Sequence, residues 1–414
     1  MAETRKVIII GAGASGMMAA YFAAKRGLMV NVFDKNALTG RKLRICGKGR
    51  CNITNDTDVQ GVLKNIPGNP KFLRPALYHF TPQQVMEFFT SIGVEVKVEQ
   101  GKRVFPVSDD ADDVADALER CCRQLGVKFT MNMPVDSITT SENKVTGIIA
   151  RGKEYPADAV ILATGGMSYP GTGSTGDGYR MAKSFGHTMV TPRPSLVGLD
   201  TVEDWPHPLT GLALKNVAVT VAGTEKKKIY REVGEMLLTH TGVSGPLIIT
   251  ASRYLLDHPD AHIEIDLKPG LTEDELDVRV LKDFEKYNRR AYMNALDDLL
   301  PKSMIPAIVN MSEIPGDTVV NTITREQRRR LVKLLKCLPL HVKKSRGFHE
   351  AIITAGGVNT REVDAGNMQS RLVTGLYLTG EILDVDAFTG GYNLQIAWAT
   401  GKLAGEKVLL EIEE

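Results

Sequence analysis

The clearest structural signal in the sequence is the stretch Lys6-Val-Ile-Ile-Ile-Gly-Ala-Gly-Ala-Ser-Gly16. Residues 7–10 are apolar and mostly β-branched, which predicts a strand buried on both faces. The next six residues fit G-x-G-x-x-G and lead into a helical pattern that Gly27 ends. In such a turn the first glycine allows the tight bend, the second admits a pyrophosphate, and the third lets the helix pack on the strand. The free N–H groups at the helix N-terminus then attract the anion.

The residues after this turn continue the pattern of a dinucleotide-binding unit. A second strand, residues 29–33, ends at Asp34, whose carboxylate can accept hydrogen bonds from an adenosine ribose. Lys35 and a loop with three glycines follow, and the loop carries five cations: Arg41, Lys42, Arg44, Lys48 and Arg50. Because the loop directly follows the dinucleotide-binding unit, we predict that it contacts cofactor phosphates instead of being only a solvated basic loop. The motif alone does not choose between NAD and FAD.

Composition narrows the class of protein but names no partner. Lys+Arg 51 nearly balance Asp+Glu 49, so the overall charge indicates neither nucleic acid nor membrane. No apolar run approaches the roughly 20 residues that cross a bilayer, and the first apolar stretch is too short for a signal peptide. The five cysteines form no CxxC pair and no metal-ligand cluster. We therefore expect a cytoplasmic protein with no metal site and no membrane segment.

A second group of motifs lies near the middle of the chain. Residues 157–166 predict a buried strand that ends in the small-residue turn Ala163-Thr-Gly-Gly166. Residues 171–176 also fit G-x-G-x-x-G, but no buried strand leads into them. We interpret them as a flexible or cofactor-lining loop and not as a second dinucleotide site.

The C-terminal part decides which dinucleotide is expected. Residues 375–381 predict a strand that ends at Glu381, and a helix over residues 394–409 follows two glycines. A carboxylate at a strand end suits a ribityl hydroxyl. A helix N-terminus suits the flavin C2 carbonyl, where negative charge gathers in the reduced flavin. These features favour FAD.

Between residues 193 and 349 the pattern changes, which predicts an insertion. Residues 193–271 alternate like an antiparallel barrel or sandwich, and residues 272–349 have helical periodicity. The FAD-binding domain would then consist of residues 1–192 and 350–414. One segment of the helical part has nine cations against the single carboxylate of Glu326: Arg325, Arg328, Arg329, Arg330, Lys333, Lys336, Lys343, Lys344 and Arg346. This segment is either a solvated helix face or a phosphate-binding surface for a nucleic acid.

With these motifs in register, the sequence resembles the BaiN/YhiN-like flavoprotein family, a branch of the glutathione-reductase-type FAD proteins. The resemblance rests on residues 11–16, 40–55, 163–178, 234–246 and 380–393. It implies an α/β fold in which a glutathione-reductase-type FAD-binding Rossmann-like domain is interrupted by an inserted β-barrel-like domain and a helical domain. Asp34 stands where many relatives carry Glu, which keeps the carboxylate.

The resemblance also implies a class of chemistry. Members are associated with reducing conjugated C=C bonds of steroid-type enones, and others resemble ribosomal RNA dihydrouridine synthases. Both reactions pass hydride from flavin N5 to the β-carbon of an enone-like system while an acid protonates the α-carbon. We expect an FAD-dependent oxidoreductase with NAD(P)H as a transient reductant and, because of the basic segment, a uracil in ribosomal RNA as substrate. The alternatives are a small enone or amine as substrate, or a flavin-containing RNA-binding or assembly protein with vestigial redox chemistry.

Several residues are candidates for the acid. Cys51 lies in the loop expected to face the cofactor, and a neighbouring Arg50 would lower the pKa of its thiol; it is equally well a small packed cysteine. Tyr169, His240 and Tyr392 are weaker candidates.

The residues predicted to bind the cofactor are Gly11, Gly13, Ala14, Ser15, Gly16, Asp34, Lys35, Arg41, Lys42, Gly49, Arg50, Cys51, Asn52, Ala163, Thr164, Gly165, Gly166, Gly380, Glu381, Asp386, Gly391, Tyr392, Asn393 and Leu394.

Overall fold

The computed structural model describes residues 5–224 and 227–410. It divides the chain into two compact units, one formed by Met1–Pro194 with Phe348–Glu414 and the other by Ser195–Gly347. Among the described residues, no helix combines the length and apolar character needed to cross a bilayer.

The regular elements follow in chain order. The α-helices are α1 (Ala14–Lys25), α2 (Arg41–Gly49), α3 (Val59–Lys64), α4 (Pro70–His79), α5 (Pro82–Ser91), α6 (Ala111–Gln124), α7 (Asp177–Ser184), α8 (Pro246–Asp257), α9 (Glu273–Lys286), α10 (Ile305–Ser312), α11 (Arg325–Lys336) and α12 (Tyr392–Lys407). The strands are β1 (Lys6–Ile10), β2 (Met29–Phe33), β3 (Thr54–Asn55), β4 (Val96–Glu99), β5 (Arg103–Pro106), β6 (Lys128–Thr130), β7 (Val135–Ser141), β8 (Lys144–Ala150), β9 (Lys153–Pro156), β10 (Ala159–Leu162), β11 (Met189–Ser195), β12 (Leu199–Thr201), β13 (Ala213–Ala222), β14 (Lys228–Thr239), β15 (Gly242–Ser244), β16 (His262–Asp266), β17 (Leu338–Leu340), β18 (Val342–Ser345), β19 (Ile353–Val358) and β20 (Leu376–Leu378).

The first unit is built on a five-stranded parallel sheet with the order β20-β10-β1-β2-β6. The side chains of β10 are wholly buried, as expected for a parallel strand covered on both faces. Two smaller antiparallel sheets, β3-β5-β4 and β7-β8-β9, complete this unit together with the pair β11-β19. The predicted α/β, Rossmann-like fold is therefore confirmed, although residues 353–358 pair with β11 and not with the main sheet.

The last helix packs against the first through small residues. A Cβ atom at Gly401 would lie 2.4 Å from the Ser15 carbonyl oxygen, and one at Gly405 would lie 2.4 Å from that of Ala19. The two helix backbones can approach this closely only because these positions have no side chain. The small-residue face of α12 thus joins the two ends of the chain.

The second unit contains a seven-stranded antiparallel sheet, β17-β16-β13-β14-β15-β12-β18, with the helices α8–α11. Apolar side chains of its strands and helices, such as Val219, Ile265, Leu276 and Leu331, belong to one hydrophobic cluster. Residues on both sides of the predicted division at residue 271 share this cluster, because helix and strand faces bury each other. Part of the predicted helical pattern near Leu296 is a short 3₁₀ turn, Tyr292–Ala295.

Candidate functional site

A cavity of about 720 Å³ opens in the first unit at the carboxyl end of the parallel sheet. Its walls are the segments that follow β1, β2, β6 and β10, together with the N-terminal ends of α1, α2 and α12. Ligands of open parallel sheets bind at this edge.

The three glycines of the first turn have different physical roles. Gly11 has a φ of +109°, and a Cβ there would lie 2.4 Å from the Ala163 carbonyl oxygen. At Gly16 a Cβ would lie 1.9 Å from the carbonyl oxygen of Gly11, so both positions are needed by the chain itself. At Gly13 no heavy atom lies within 4 Å of the Cβ position. Gly13 therefore leaves open space at the N-terminus of α1, as a pyrophosphate requires.

The carboxylate of Asp34 is held in place at the next strand end. One oxygen accepts a hydrogen bond from the backbone N–H of Ala12 (2.7 Å) and the other from that of Asn36 (2.8 Å). Beside it, Lys35 forms an ion pair with Asp177 at 2.6 Å. All five residues line the cavity, which places a fixed acceptor where a ribose is expected.

The N-terminus of α12 forms another part of the cavity wall. Gly391 precedes the helix with a φ of +95°, and a Cβ there would lie 2.3 Å from the Thr54 carbonyl oxygen. Asn393 holds the preceding loop by accepting from the N–H of Ala387 (2.9 Å) and donating to its carbonyl (2.7 Å). With its amide oxygen turned toward Gly391, Asn52 accepts a hydrogen bond from that N–H (2.9 Å).

Lys42 and Glu381 form a charged network in the cavity wall. One oxygen of Glu381 accepts from the N–H of Thr354 (3.0 Å) and the hydroxyl of Ser168 (2.7 Å), and the other accepts from Lys42 (2.7 Å). Lys42 also donates to Ser168 (2.6 Å). Glu381 thus already receives three hydrogen bonds from the protein, and an ammonium group with a third N–H stands beside it.

One polar atom in the cavity wall lacks a partner. The hydroxyl oxygen of Thr164 is buried and has no hydrogen bond within the described part of the chain. This oxygen is not exposed to the cavity, and a Cβ at Gly178 would lie 2.0 Å from it, so the hydroxyl packs against the start of α7. The open space at Gly13, the fixed carboxylate of Asp34 and the helix N-terminus at Gly391 are the features that fit a dinucleotide.

Four of the five cations of the loop after Lys35 fall into two groups. Arg41 and Lys42 line the cavity. Arg44 instead binds Asp112 (2.8 Å) and Asp116 of α6, and Arg50 binds Asp109 (2.9 Å) and Glu99. These carboxylates are distant in sequence, so the spacing of the cations could not reveal which of them were already neutralised.

Cys51 is buried with 0% exposure and does not line the cavity. Burial, followed by a hydrogen bond with the thiol of Cys46, raises the pKa of Cys51 well above its ordinary value. The expectation of a lowered pKa is wrong because desolvation dominates and the Arg50 guanidinium is paired with Glu99 and Asp109. Cys46, which the sequence analysis did not single out, lines the cavity.

The other acid candidates do not converge on the cavity. Tyr169 is exposed, with a left-handed backbone (φ +52°), and does not line the cavity. Tyr392 begins α12 but is also absent from the cavity wall, and burial raises its pKa. His240 is an exposed residue of the second unit, in the turn between β14 and β15.

The structure brings most of the predicted cofactor residues to one cavity. Those that line it are Gly11, Gly13, Ala14, Ser15, Asp34, Lys35, Arg41, Lys42, Asn52, Ala163, Thr164, Gly165, Glu381, Gly391, Asn393 and Leu394. Those that do not are Gly16, Gly49, Arg50, Cys51, Gly166, Gly380, Asp386 and Tyr392. Some of the latter serve packing: a Cβ at Gly166 would lie 2.5 Å from the Thr354 hydroxyl, and one at Gly380 would lie 2.7 Å from that of Ser15.

Sequence reasoning missed one wall of the cavity. Residues 133–136 line it directly after β6, as do Ile352 and Ile353. The rule that ligands meet the carboxyl ends of parallel strands could have identified the loop after β6. Thr172, Gly173 and Ser174 also line the cavity, in agreement with the interpretation of residues 171–176 as a cofactor-lining loop.

Several cations of residues 325–346 are paired with carboxylates, so this segment carries less positive charge than its sequence indicates. Arg328 pairs with Asp277 (2.8 Å), and Lys336 with Asp266 (2.8 Å). Arg330 pairs with Glu313 (2.6 Å), and Arg346 (3.1 Å) and Lys344 (3.8 Å) lie near Asp200. Arg325, Arg329 and Lys333 are exposed and lie at every fourth position of α11, so they form one stripe along its surface.

Comparisons with known proteins cover nearly the whole chain. A bile-acid enzyme of Clostridium scindens, named 3-dehydro-bile acid delta(4,6)-reductase, is 34% identical over 97% of this chain and 98% of its own length. A ribosomal RNA dihydrouridine synthase of Haemophilus influenzae is 31% identical over 97% of each chain. The solved structure of 3-ketosteroid-delta4-(5alpha)-dehydrogenase from Rhodococcus jostii shares the fold, with a TM-score of 0.50, 15% identity and coverage of 99% of this chain and 98% of that one. Residues 5–407 match the family described as HI0933-like protein Rossmann domain, and the chain belongs to that family.

Proposed function

We propose that this chain is an FAD-dependent oxidoreductase that reduces an activated C=C bond, with a uracil in ribosomal RNA as its preferred substrate. The observation that carries the proposal is the cavity at the strand ends, where Gly13 leaves open space at the N-terminus of α1 and Asp34 offers a fixed carboxylate. The proposal assigns this cavity to FAD.

Each wall of the cavity suits one part of that cofactor. Gly13 and the N-terminus of α1 would hold the pyrophosphate, and Asp34 would accept from the adenosine ribose. The N-terminus of α12 at Gly391 would face the flavin C2 carbonyl, where the helix dipole favours negative charge. FAD bound in this way supplies the hydride from flavin N5.

The proton for the α-carbon requires a donor that the chain supplies. Cys51 is removed from the cavity by burial, whereas Lys42 lies in the wall with its Nζ bonded to Ser168 and Glu381. We propose that this network keeps a proton on Lys42 Nζ for the protonation of the substrate. Tyr169 and His240, the weaker candidates for direct protonation of the substrate, do not line the cavity.

Two features support RNA as the substrate. A relative of full length is named a ribosomal RNA dihydrouridine synthase. The cations Arg325, Arg329 and Lys333 form an exposed stripe that suits a phosphate backbone. In uracil the C5–C6 double bond is conjugated to the C4 carbonyl, so hydride at C6 and a proton at C5 complete the reduction. NAD(P)H as the visiting reductant and the cytoplasm as the compartment belong to the same proposal.

The direct test is a mass map of ribosomal RNA from a strain without this gene. The proposal expects one dihydrouridine to be lost and to return with the wild-type gene but not with a Gly13→Val variant. Unchanged ribosomal RNA would rule out this substrate.

A small steroid-like enone is the second candidate, because the bile-acid reductase is a full-length relative. The purified holoenzyme would then reduce such an enone anaerobically, and alanine at Arg325, Arg329 and Lys333 would leave that turnover unchanged. A non-catalytic RNA-binding flavoprotein would instead show no bleaching of its flavin by NADH or NADPH.

A further inference from the structure

The wall of the cavity contains a pair of cysteines that the proposed reaction does not use. Cys46 is half-buried and lines the cavity, whereas Cys51 lies behind it with 0% exposure. The two cysteines are separated by four residues of the same segment. Cys46 therefore lines the space assigned to the cofactor, and Cys51 lies buried in the same turn.

The backbone between the two residues holds them in this arrangement. The N–H of Cys51 donates to the carbonyl oxygen of Cys46 at 3.1 Å, which closes a turn. Gly47, Lys48 and Gly49 have φ values of +59°, +62° and +82°, so the chain returns on itself within the turn. Disulfides need Cα atoms roughly 4.4–6.8 Å apart, and a direct backbone hydrogen bond between the two cysteines holds them near that separation.

We propose that Cys46 and Cys51 form a reversible dithiol–disulfide couple that exchanges two electrons with the isoalloxazine of FAD in this cavity. The inference rests on the proposed FAD site. In the oxidising direction the two S–H bonds break and one S–S bond forms. The two electrons and two protons released pass to oxidised flavin, which is thereby fully reduced. In the other direction the same atoms and electrons return, and the thiols are restored.

The positions of the two sulfurs assign their order of reaction. Cys46 is the sulfur that an oxidant in the cavity meets first, because it lines the wall. Cys51 is shielded from every reagent except its neighbour, so it reacts only by closing the disulfide with Cys46. The adjacent pair Cys121 and Cys122 offers an internal comparison, because Cys122 is buried in α6 and its thiol bonds to the Met17 carbonyl (3.4 Å).

Peptide mapping tests the pair without using enzyme activity. Trypsin cleaves after Lys48 and Arg50, which lie between the two cysteines. Purified holoprotein is oxidised with diamide, denatured, alkylated with iodoacetamide and digested. We expect residues 45–48 to be joined to residues 51–64, with the link lost after dithiothreitol. Cys121 and Cys122 should both carry the label, and Cys46→Ser should leave Cys51 labelled.

Anaerobic titration with dithionite then tests the exchange with flavin. Diamide-oxidised holoprotein should take up twice as many electrons as Cys46→Ser, because the disulfide accepts a second pair. The proposal is overturned if diamide leaves Cys46 and Cys51 separately alkylated, or if the two titrations are equal. A protein that binds no FAD fails the proposed function, whereas the peptide map still reports on the cysteines. The two failures are therefore distinguishable.

Discussion

Lys42 and Glu381 are 339 positions apart in the sequence, yet their side chains form an ion pair of 2.7 Å in the wall of the cavity. Lys42 belongs to α2, after the first dinucleotide-binding unit, and Glu381 follows β20 near the other end of the chain. Their side chains are 28% and 14% exposed, so solvent screens the pair only in part. The pair shows that the cavity is completed only when both ends of the first unit fold together.

Breaking this pair should weaken both the cofactor site and the fold. Glu381→Gln leaves the ammonium of Lys42 without its counter-charge, and we expect the free energy of unfolding to fall by about 1–3 kcal/mol. The dissociation constant for FAD should rise about tenfold. Fluorescence titration with FAD and the thermal midpoint measure the two effects. Lys42→Met removes the charge that Glu381→Gln leaves unpaired. The variant with both changes should therefore lose less stability than the sum of the losses in the two single variants. Strict additivity would show that the pair is not coupled.

Gly13 and Gly16 of the first turn can be compared directly, because a side chain has room at Gly13 and none at Gly16. Gly13→Val should fold normally, because its Cβ meets no heavy atom within 4 Å, but should bind FAD at least tenfold more weakly. Gly16→Ala should instead destabilise the protein by about 1–3 kcal/mol, because its Cβ would lie 1.9 Å from a carbonyl oxygen. Thermal melts and FAD titrations of both variants distinguish the roles. Tight FAD binding by Gly13→Val would mean that the pyrophosphate lies elsewhere.

Alkylation kinetics should reveal the raised pKa of Cys51. Burial keeps this thiol protonated at pH 8, where an ordinary exposed cysteine near pKa 8.5 is partly ionised and reactive. Iodoacetamide should therefore modify the exposed Cys337 first and leave Cys51 unlabelled both at pH 8 and at about pH 9. Mass spectrometry of timed samples measures both rates. Equal alkylation rates for Cys51 and Cys337 in the native protein would contradict the buried position of Cys51. In the control, the protein unfolded in urea, the two cysteines should react at equal rates.

The stripe on α11 should contribute to RNA affinity through phosphate contacts. Replacing Arg325, Arg329 and Lys333 with alanine should weaken binding and reduce the slope of log K against log salt by about 2. FAD content should be unchanged. Alanine at the exposed Lys64, Lys71 and Lys183 of the first unit is the matched control with the same change in charge. If both triple variants lose the same affinity, the stripe is not an RNA surface.

The sequence predicts the parallel sheet well because its signals are local. The glycine turn, the acid-ended strand and the small-residue turn at residues 163–166 each lie within a few residues, and all reach the cavity. Interactions between distant segments are harder to predict. The carboxylates that neutralise Arg44 and Arg50 come from other elements, and the burial of Cys51 depends on packing that its neighbours in sequence do not show. For the same reason the count of cations in residues 325–346 overstated the charge of that surface.

The absorption spectrum of the purified protein, with its FAD content per chain, tests the central claim most directly. The account predicts a yellow protein that carries about one FAD per chain or takes it up on incubation, and whose Gly13→Val variant does so far less tightly. A folded wild-type protein that stays colourless in excess FAD would contradict the assignment of the cavity.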